Sequence, residues 1–241
     1  LMSRLHADRT VTAFRVALFE SSFGLLKELK QVIKAIDDKA VSFKAVLKMG
    51  RTQLQDAVPM TLGQEFHAFA VTLREEIKSI SRCQQLLLEV NLGATAIGTG
   101  INAHPKFGKG VAKALSAATG AKFEQAANTF EGLAAQDDLV ELSGQLNALA
   151  VALMKIGNDL RWMNSGPLAG LGEIELPALQ PGSSIMPGKV NPVIPEAVAM
   201  VCAQVMGHHT AITIAGQSGN FQLNVMLPLI AADLLDSIGL L

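Results

Sequence analysis

The chain has 241 residues and a formal net charge of −1, with 17% charged and 49% hydrophobic residues. A balanced charge without a basic run provides no electrostatic attraction for nucleic acid or for an anionic membrane surface. Aromatic residues make up only 5% of the chain. A composition this rich in aliphatic residues favours an all-α bundle of long helices. No apolar run is expected to span a bilayer, and the N-terminus does not resemble a signal peptide, so a cytoplasmic protein is predicted.

The first predicted element is a long helix that follows an irregular N-terminal segment. Residues 1–11 show no clear pattern, and residues 12–241 are predicted to form one central helical-bundle domain. The helix is predicted from Phe14 to Lys48, with Gly50 ending it, because apolar residues recur there at a spacing of seven. The two registers are Leu18, Leu25 and Val32, and Leu29, Ile36 and Phe43.

The later helices are predicted from capping residues and from apolar spacing. Thr61 and Gln64 fit a capping box, which predicts a helix that begins there and runs to about Glu89. No strand is predicted. The remaining predicted helices are Gly110–Thr119, Glu131–Asn164, Pro195–Ile214 and a last one from Leu223 to the terminus.

Cysteine and histidine residues do not predict a metal site. Cys83 and Cys202 fall within helical patterns and are predicted to be reduced core thiols. His208 and His209 are neighbours on a predicted helix, so their side chains point about 100° apart and cannot chelate one ion together.

One loop, Gly182–Pro192, carries the residues that could do chemistry. It reads G-S-S-I-M-P-G-K-V-N-P, and its glycines and prolines exclude a regular helix or strand. Ser183, Ser184, Lys189 and Asn191 are close enough in sequence to converge on one small anion. The alternative interpretation is a polar connection between helices, which the length of the loop and the order of its residues disfavour.

The loop matches the pattern G-S-x-x-M-P-x-K-x-N-P and so resembles the signature of the aspartase/fumarase superfamily. A second segment, Gly50–Phe66, reads G-R-T-Q-L-Q-D-A-V-P-M-T-L-G-Q-E-F and resembles the aspartate ammonia-lyase version of that family's middle motif. Residues 93–102 are similar to its G-T-G-x-N segment, which lines the substrate pocket. The resemblance implies the central helical domain of a homotetramer whose active sites draw on three subunits, with no cofactor and no metal.

The resemblance also implies a role for each site residue. Ser183 matches the catalytic base on a mobile loop, and Lys189 and Asn191 match a clamp for one carboxylate of a small dicarboxylate such as aspartate or fumarate. Thr52 and Gln53 match the pair that holds the other end of the substrate. Elimination needs this arrangement, because a base must act on the carbon beside a carboxylate whose growing charge is held by fixed donors. The supporting residues are Ser184, Met186 and Glu196.

Position 53 favours one activity within the family. Class II fumarases usually carry histidine there, paired with a glutamate that corresponds to Glu196, whereas Gln53 cannot carry a proton. This favours aspartate ammonia-lyase, which eliminates ammonia from L-aspartate to give fumarate through a carbanion intermediate. Segments Gln136–Gly144 and Gly216–Phe221 resemble fumarase instead. Fumarate hydratase therefore stays open, as does a non-catalytic helical scaffold that keeps the family fold.

The family's N-terminal and C-terminal domains are not recognisable in the chain. Its S-S/T-N-D motif, which contributes hydroxyls and an asparagine to substrate binding, is matched only by Ser3 and Asp8. Removing one donor from a preorganised site costs about 3–4 kcal/mol of barrier. Turnover by this chain alone is therefore expected to be very low or absent.

Overall fold

The computed structural model describes residues 6–180 and 182–241, and it is mainly helical, which confirms the predicted all-α class. Among those residues the four strands are short and form two separate two-stranded pairs. The helices are α1 (His6–Ser42), α2 (Leu62–Leu86), α3 (Phe107–Thr119), α4 (Glu131–Ala134), α5 (Asp137–Met163), α6 (Val193–Gln217) and α7 (Leu227–Leu240). The strands are β1 (Leu47–Thr52), β2 (Gln55–Thr61), β3 (Glu89–Val90) and β4 (Glu124–Gln125).

The chain divides into two compact units, and α1, α2, α5 and α6 contribute residues to both. In each unit the core consists mainly of leucine, isoleucine and alanine side chains, and α7 adds to the core of unit 1. Unit 1 comprises Leu1–Lys27, Ile77–Asn147 and Val205–Leu241, and unit 2 comprises Glu28–Glu76 and Ala148–Gln204.

The apolar stripe of α1 is present, but it drifts away from strict seven-residue spacing. Leu18, Leu25 and Leu29 are buried as predicted, whereas Val32 is 43% exposed and Ile33 is buried in its place. Seven residues of a 3.6-residue helix fall about 20° short of two full turns, so a stripe extended by heptads leaves the buried face.

Both ends of the first helix differ from the prediction. The helix begins at His6, so the expectation of an irregular segment is wrong for residues 6–11, while residues 1–5 lie outside the described part. Asp8 explains the early start, because its carboxylate in the first turn of α1 is fully buried and accepts backbone hydrogen bonds. At the other end α1 stops at Ser42 rather than Lys48.

A β-hairpin occupies the segment that was predicted to complete the first helix. β1 pairs antiparallel with β2, and the register shifts between Met49 and Arg51. Gly50 lies at this bulge, where a Cβ atom would come within 2.9 Å of the Val58 carbonyl oxygen. The prediction that the chain contains no strand is therefore wrong here and at the β3–β4 pair.

The capping box at the start of α2 is confirmed. The Thr61 amide donates to Gln64 Oε1 at 2.9 Å, and the Gln64 amide donates to Thr61 Oγ1 at 3.2 Å. These reciprocal bonds satisfy two donors that the first turn of a helix cannot pair internally.

The predicted helix Glu131–Asn164 is broken into α4 and α5. Ala135 is extended, with φ −86° and ψ 139°. The Leu133 carbonyl accepts a hydrogen bond from the Asn224 amide at 3.1 Å instead of continuing the helical ladder. Asp137 and Asp138 then open α5, where negative charge interacts favourably with the helix N-terminus.

Two helices contain long apolar stretches with few charged residues. By length and composition α5 and α6 could each cross a membrane, with a mean hydropathy of 1.3 in the most apolar stretch. The expectation that no apolar run would reach that length is therefore wrong. Within the chain 44% of that stretch is buried in α5 and 17% in α6; a core helix of a soluble protein satisfies the same criteria.

Candidate active site

The tip of the β1–β2 hairpin presents Thr52 and Gln53 to solvent. The two loop residues, Gln53 and Leu54, have φ values of 55° and 61°, the positive pair that a type I′ turn requires. Such turns usually contain asparagine or glycine, because other side chains are strained there. The two non-glycine residues in this turn therefore carry a local energetic cost.

A cluster of charged side chains holds the base of this hairpin. Lys48 Nζ lies 2.9 Å from Glu173 Oε2 and also contacts the Glu65 carboxylate. Arg51 Nη1 donates to Glu173 Oε1 at 2.7 Å. The side chains of Lys48 and Glu173 are only 8% and 13% exposed. These contacts hold the hairpin against the segment that precedes the loop Gly182–Pro192, which we call the signature loop.

The charge cluster shifts the pKa values of its members. Burial alone would raise the pKa of Glu173, but hydrogen bonds from Arg51 and Lys48 outweigh it and hold that pKa below its usual value. Burial alone would lower the pKa of Lys48, but its hydrogen bonds to Glu65 and Glu173 raise it instead. Both groups therefore stay charged over a wide pH range.

The signature loop closes on its own ends. The Gly182 backbone lies against Lys189, where a Cβ atom would meet the Lys189 carbonyl oxygen at 2.1 Å, so only glycine fits. Inside the loop, the Ile185 amide donates to Ser183 Oγ at 3.2 Å, and Ser183 itself is half-buried. The apolar side chains of Ile185 and Met186 are 86% and 51% exposed.

Lys189 and Asn191 line one cleft, which we call the Lys189 cleft. It has a volume of about 420 Å³ and lies within unit 2. Its polar and aromatic lining comprises Asn158, Arg161, Trp162, Asn164, Ser165, Lys189 and Asn191.

The structure brings together only some of the predicted site residues. Gln53 lines a different cleft of about 420 Å³ in the same unit, together with the charge cluster. Trp162 lines both clefts, whereas Ser183 is not among the residues lining either. Glu196 is half-buried in the first turn of α6. The roles assigned to Ser183, Thr52, Gln53, Lys189 and Asn191 therefore stay predictions.

The glycine-rich segment 93–102 lies in unit 1 and is anchored by Asp8. The amides of Gly93 and Thr95 donate to Asp8 Oδ2 at 2.9 and 3.0 Å. Positive φ angles at Gly93, Thr95 and Asn102 keep the segment out of regular structure. Asp8 is the residue that fits the fourth position of the S-S/T-N-D motif, while Ser3 lies outside the described residues.

Cysteine and histidine side chains have structural partners. Cys83 and Cys202 are free and buried, and burial followed by the charge of Glu141 raises the pKa of Cys83 to about 11. His208 and His209 contact different hydroxyls, those of Ser237 and Ser143, at 3.0 and 2.9 Å. Across residues 6–180 and 182–241, no group of three or more histidine, cysteine, aspartate or glutamate side chains could hold a metal ion.

Sequence reasoning missed Arg161, Trp162 and Glu173. Glu173 offered a weak signal, as one of two acids within a glycine-rich stretch. Its partner Arg51 is 122 residues away in the chain, so the pairing could not be read from spacing. Arg161 and Trp162 lie at the end of a helix, where the apolar pattern gave them no special role.

Comparison with known proteins agrees with this fold and with these motifs. A family model described as a lyase matches residues 2–207. Class II fumarate hydratase from Xylella fastidiosa is 63% identical over 235 residues, and aspartate ammonia-lyase from Pseudomonas aeruginosa is 53% identical over 241 residues. These alignments cover 97% and 100% of this chain but only 50% and 51% of the relatives, so the chain spans about half their length.

Solved structures show the same likeness. Fumarate lyase:delta crystallin from Brucella melitensis bound to cobalt superposes with a TM-score of 0.95 at 49% identity, covering 99% of this chain and 52% of that one. Recombinant class II fumarase from Schistosoma mansoni superposes with a TM-score of 0.94 at 39% identity, covering 95% and 51%. The chain belongs to the aspartase/fumarase superfamily of lyases.

Proposed function

We propose that the protein eliminates ammonia from L-aspartate to give fumarate. The observation that carries this proposal is Gln53, an uncharged amide held in a strained turn at the hairpin tip. An amide can donate and accept hydrogen bonds but cannot transfer a proton. It therefore suits the binding of a substrate end and does not suit a proton relay through Glu196.

The proposed reaction uses residues of the signature loop. Ser183, deprotonated when the loop closes and excludes water, removes a proton from the carbon beside one substrate carboxylate. The electron pair moves onto that carboxylate, where Lys189 and Asn191 stabilise the additional charge. The pair then returns to form the double bond as the neighbouring C–N bond breaks and ammonia leaves. Thr52 and Gln53 hold the far end of the substrate.

Hydration of fumarate to L-malate is the second candidate. It is favoured by the 63% identity to a class II fumarate hydratase, against 53% for an aspartate ammonia-lyase. The chemistry at the carbon acid is the same, and only the leaving group differs. A non-catalytic scaffold with the family fold is the third possibility.

We further propose a homotetrameric assembly in the cytoplasm. The most apolar stretch of α6 is only 17% buried within the chain, and side chains such as Ile194, Met200 and Ile214 are 56%, 68% and 54% exposed. Apolar helix faces of this kind are typical of subunit interfaces. Association would also allow a site to be completed by Thr52 and Gln53 of one subunit and Ser183 of another.

The test of the proposed function is fumarate formation, followed by ultraviolet absorbance with L-aspartate supplied. The Ser183→Ala variant should abolish it, and Ser42→Ala, an exposed serine at the end of α1, should leave it unchanged. Turnover of L-malate alone would support the second candidate, and turnover of neither substrate would support the scaffold. Rates of roughly 1–1000 per second would show that the expectation of low activity is wrong.

A further inference from the structure

We propose that Arg161 is a second carboxylate-binding residue in the Lys189 cleft and selects dicarboxylates over monocarboxylates. This inference rests on the proposed function, because it takes the Lys189 cleft as part of the substrate site. Arg161 lies in the last turn of α5 and lines the cleft together with Lys189 and Asn191.

Among the residues predicted to bind substrate, Lys189 is the only cation. A C4 dicarboxylate carries two negative charges, whereas Ser183, Thr52, Gln53 and Asn191 are neutral donors. Lys189 therefore supplies only one positive charge. A carboxylate without a charged partner in a closed site carries a desolvation cost, and a second cation beside Lys189 would reduce that cost.

The Lys189 cleft has the electrostatic character of an anion site. Arg161 and Lys189 contribute two positive charges, and none of the residues that line the cleft is acidic. Among the described residues neither of these two side chains forms an ion pair with a carboxylate. In contrast, four other arginines are paired with carboxylates: Arg15, Arg51, Arg74 and Arg82.

The guanidinium of Arg161 is oriented by a neighbour. Its Nη1 donates to Asn158 Oδ1 at 3.1 Å, one helical turn earlier on α5 and on the same cleft wall. This bond uses one of five N–H donors, and the others remain available for a carboxylate in the bidentate geometry that arginine favours. Lysine could supply the charge but not the two parallel hydrogen bonds.

The experiment measures ligand binding rather than turnover, with Trp162 as reporter. Trp162 is the only tryptophan in the chain, is 53% exposed and lines the Lys189 cleft. The probes are succinate, an unreactive C4 dicarboxylate, and butyrate, its monocarboxylate counterpart. Fluorescence titration gives the Kd of each probe for the parent protein and for Arg161→Gln, Arg161→Lys and Arg82→Gln.

We expect Arg161→Gln to weaken succinate binding by about 10- to 100-fold, the loss typical of a charged hydrogen bond. The same substitution should weaken butyrate binding less. The succinate Kd of Arg161→Lys should lie between those of the parent and of Arg161→Gln. Arg82→Gln, a matched change at an exposed arginine, should bind succinate like the parent. Because Arg161 is exposed, an unchanged thermal unfolding midpoint should accompany each variant.

Three results would overturn the inference: an unchanged succinate Kd in Arg161→Gln, an equal loss in Arg82→Gln, or no saturable succinate binding by the parent. The proposed function fails separately, when L-malate but not L-aspartate gives fumarate. Succinate binding that depends on Arg161, together with turnover of L-malate alone, would retain the dicarboxylate site and reject the ammonia-lyase reaction.

Discussion

At the scale of single residues, Glu173 joins two parts of the chain that are distant in sequence. Its carboxylate contacts Lys48 and Arg51 of the hairpin base, and its own segment leads towards the signature loop. A displacement of the hairpin would also move Gln53, so the Glu173 contact contributes to the geometry of the proposed site. Its contribution can be measured as stability.

Replacing Glu173 by glutamine should lower the free energy of unfolding by about 1–2 kcal/mol, because two charged hydrogen bonds are weakened at a partly screened site. Urea denaturation measures the change. Glu124→Gln provides the matched control, since the Lys122–Glu124 pair is exposed on both sides and should contribute nothing measurable. Equal effects of the two substitutions would contradict the role given to Glu173.

The same contact predicts a pH dependence. A lowered pKa of Glu173 gives stability that is present above its unfolded value of 4.5 and is lost as pH falls through the folded value. A raised pKa of Lys48 gives stability that is present below 10.5 and is lost as pH rises through the folded value. The stability difference between the parent and Glu173→Gln should be constant between about pH 5 and 10 and shrink outside that window. A stability difference that is largest at low or high pH would be inconsistent with these pKa shifts.

Sequence alone proposed candidate site residues in the loop and hairpin but did not predict their surroundings. Ser183, Lys189 and Asn191 were recognisable because the motif is contiguous. Arg161 and Glu173 were not, since their relevance depends on which distant side chains they meet. Only the folded chain shows that the first lines a cleft with Lys189 and the second pairs with Arg51.

At the scale of elements, boundaries set by residues close in sequence were predictable, and boundaries set by distant partners were not. The start of α2 was predictable because both partners of its cap lie within four residues of chain. The end of α1 was not, because Leu47–Thr52 forms a strand only by pairing with Gln55–Thr61. The break between α4 and α5 likewise depends on a hydrogen bond from Asn224, far along the chain.

The cap of α2 gives a prediction at this scale. Thr61→Ala should destabilise the protein by about 1 kcal/mol, the usual cost of losing a helix N-cap. Thr72→Ala, in the exposed middle of the same helix, should be neutral or slightly stabilising because alanine has the higher helix propensity. Thermal or urea unfolding distinguishes them, and a larger loss for Thr72→Ala would show that the cap contributes little.

At the scale of the whole molecule, the exposed apolar side of α6 is the main structural reason to expect self-association. The sequence predicted that some helix faces would be covered by other subunits, because so apolar a chain carries little charge. We predict a homotetramer in light scattering at micromolar concentration. A stable monomer under those conditions would contradict the assembly and with it a site shared between subunits.

The most direct test of the account is the choice between two substrates. Fumarate formation from L-aspartate and from L-malate should be compared for the parent protein and for Gln53→His, since histidine tolerates the positive φ of this turn. The account predicts that the parent favours L-aspartate and that Gln53→His shifts the ratio of the two rates towards L-malate. Faster turnover of L-malate with Gln53 intact would contradict it.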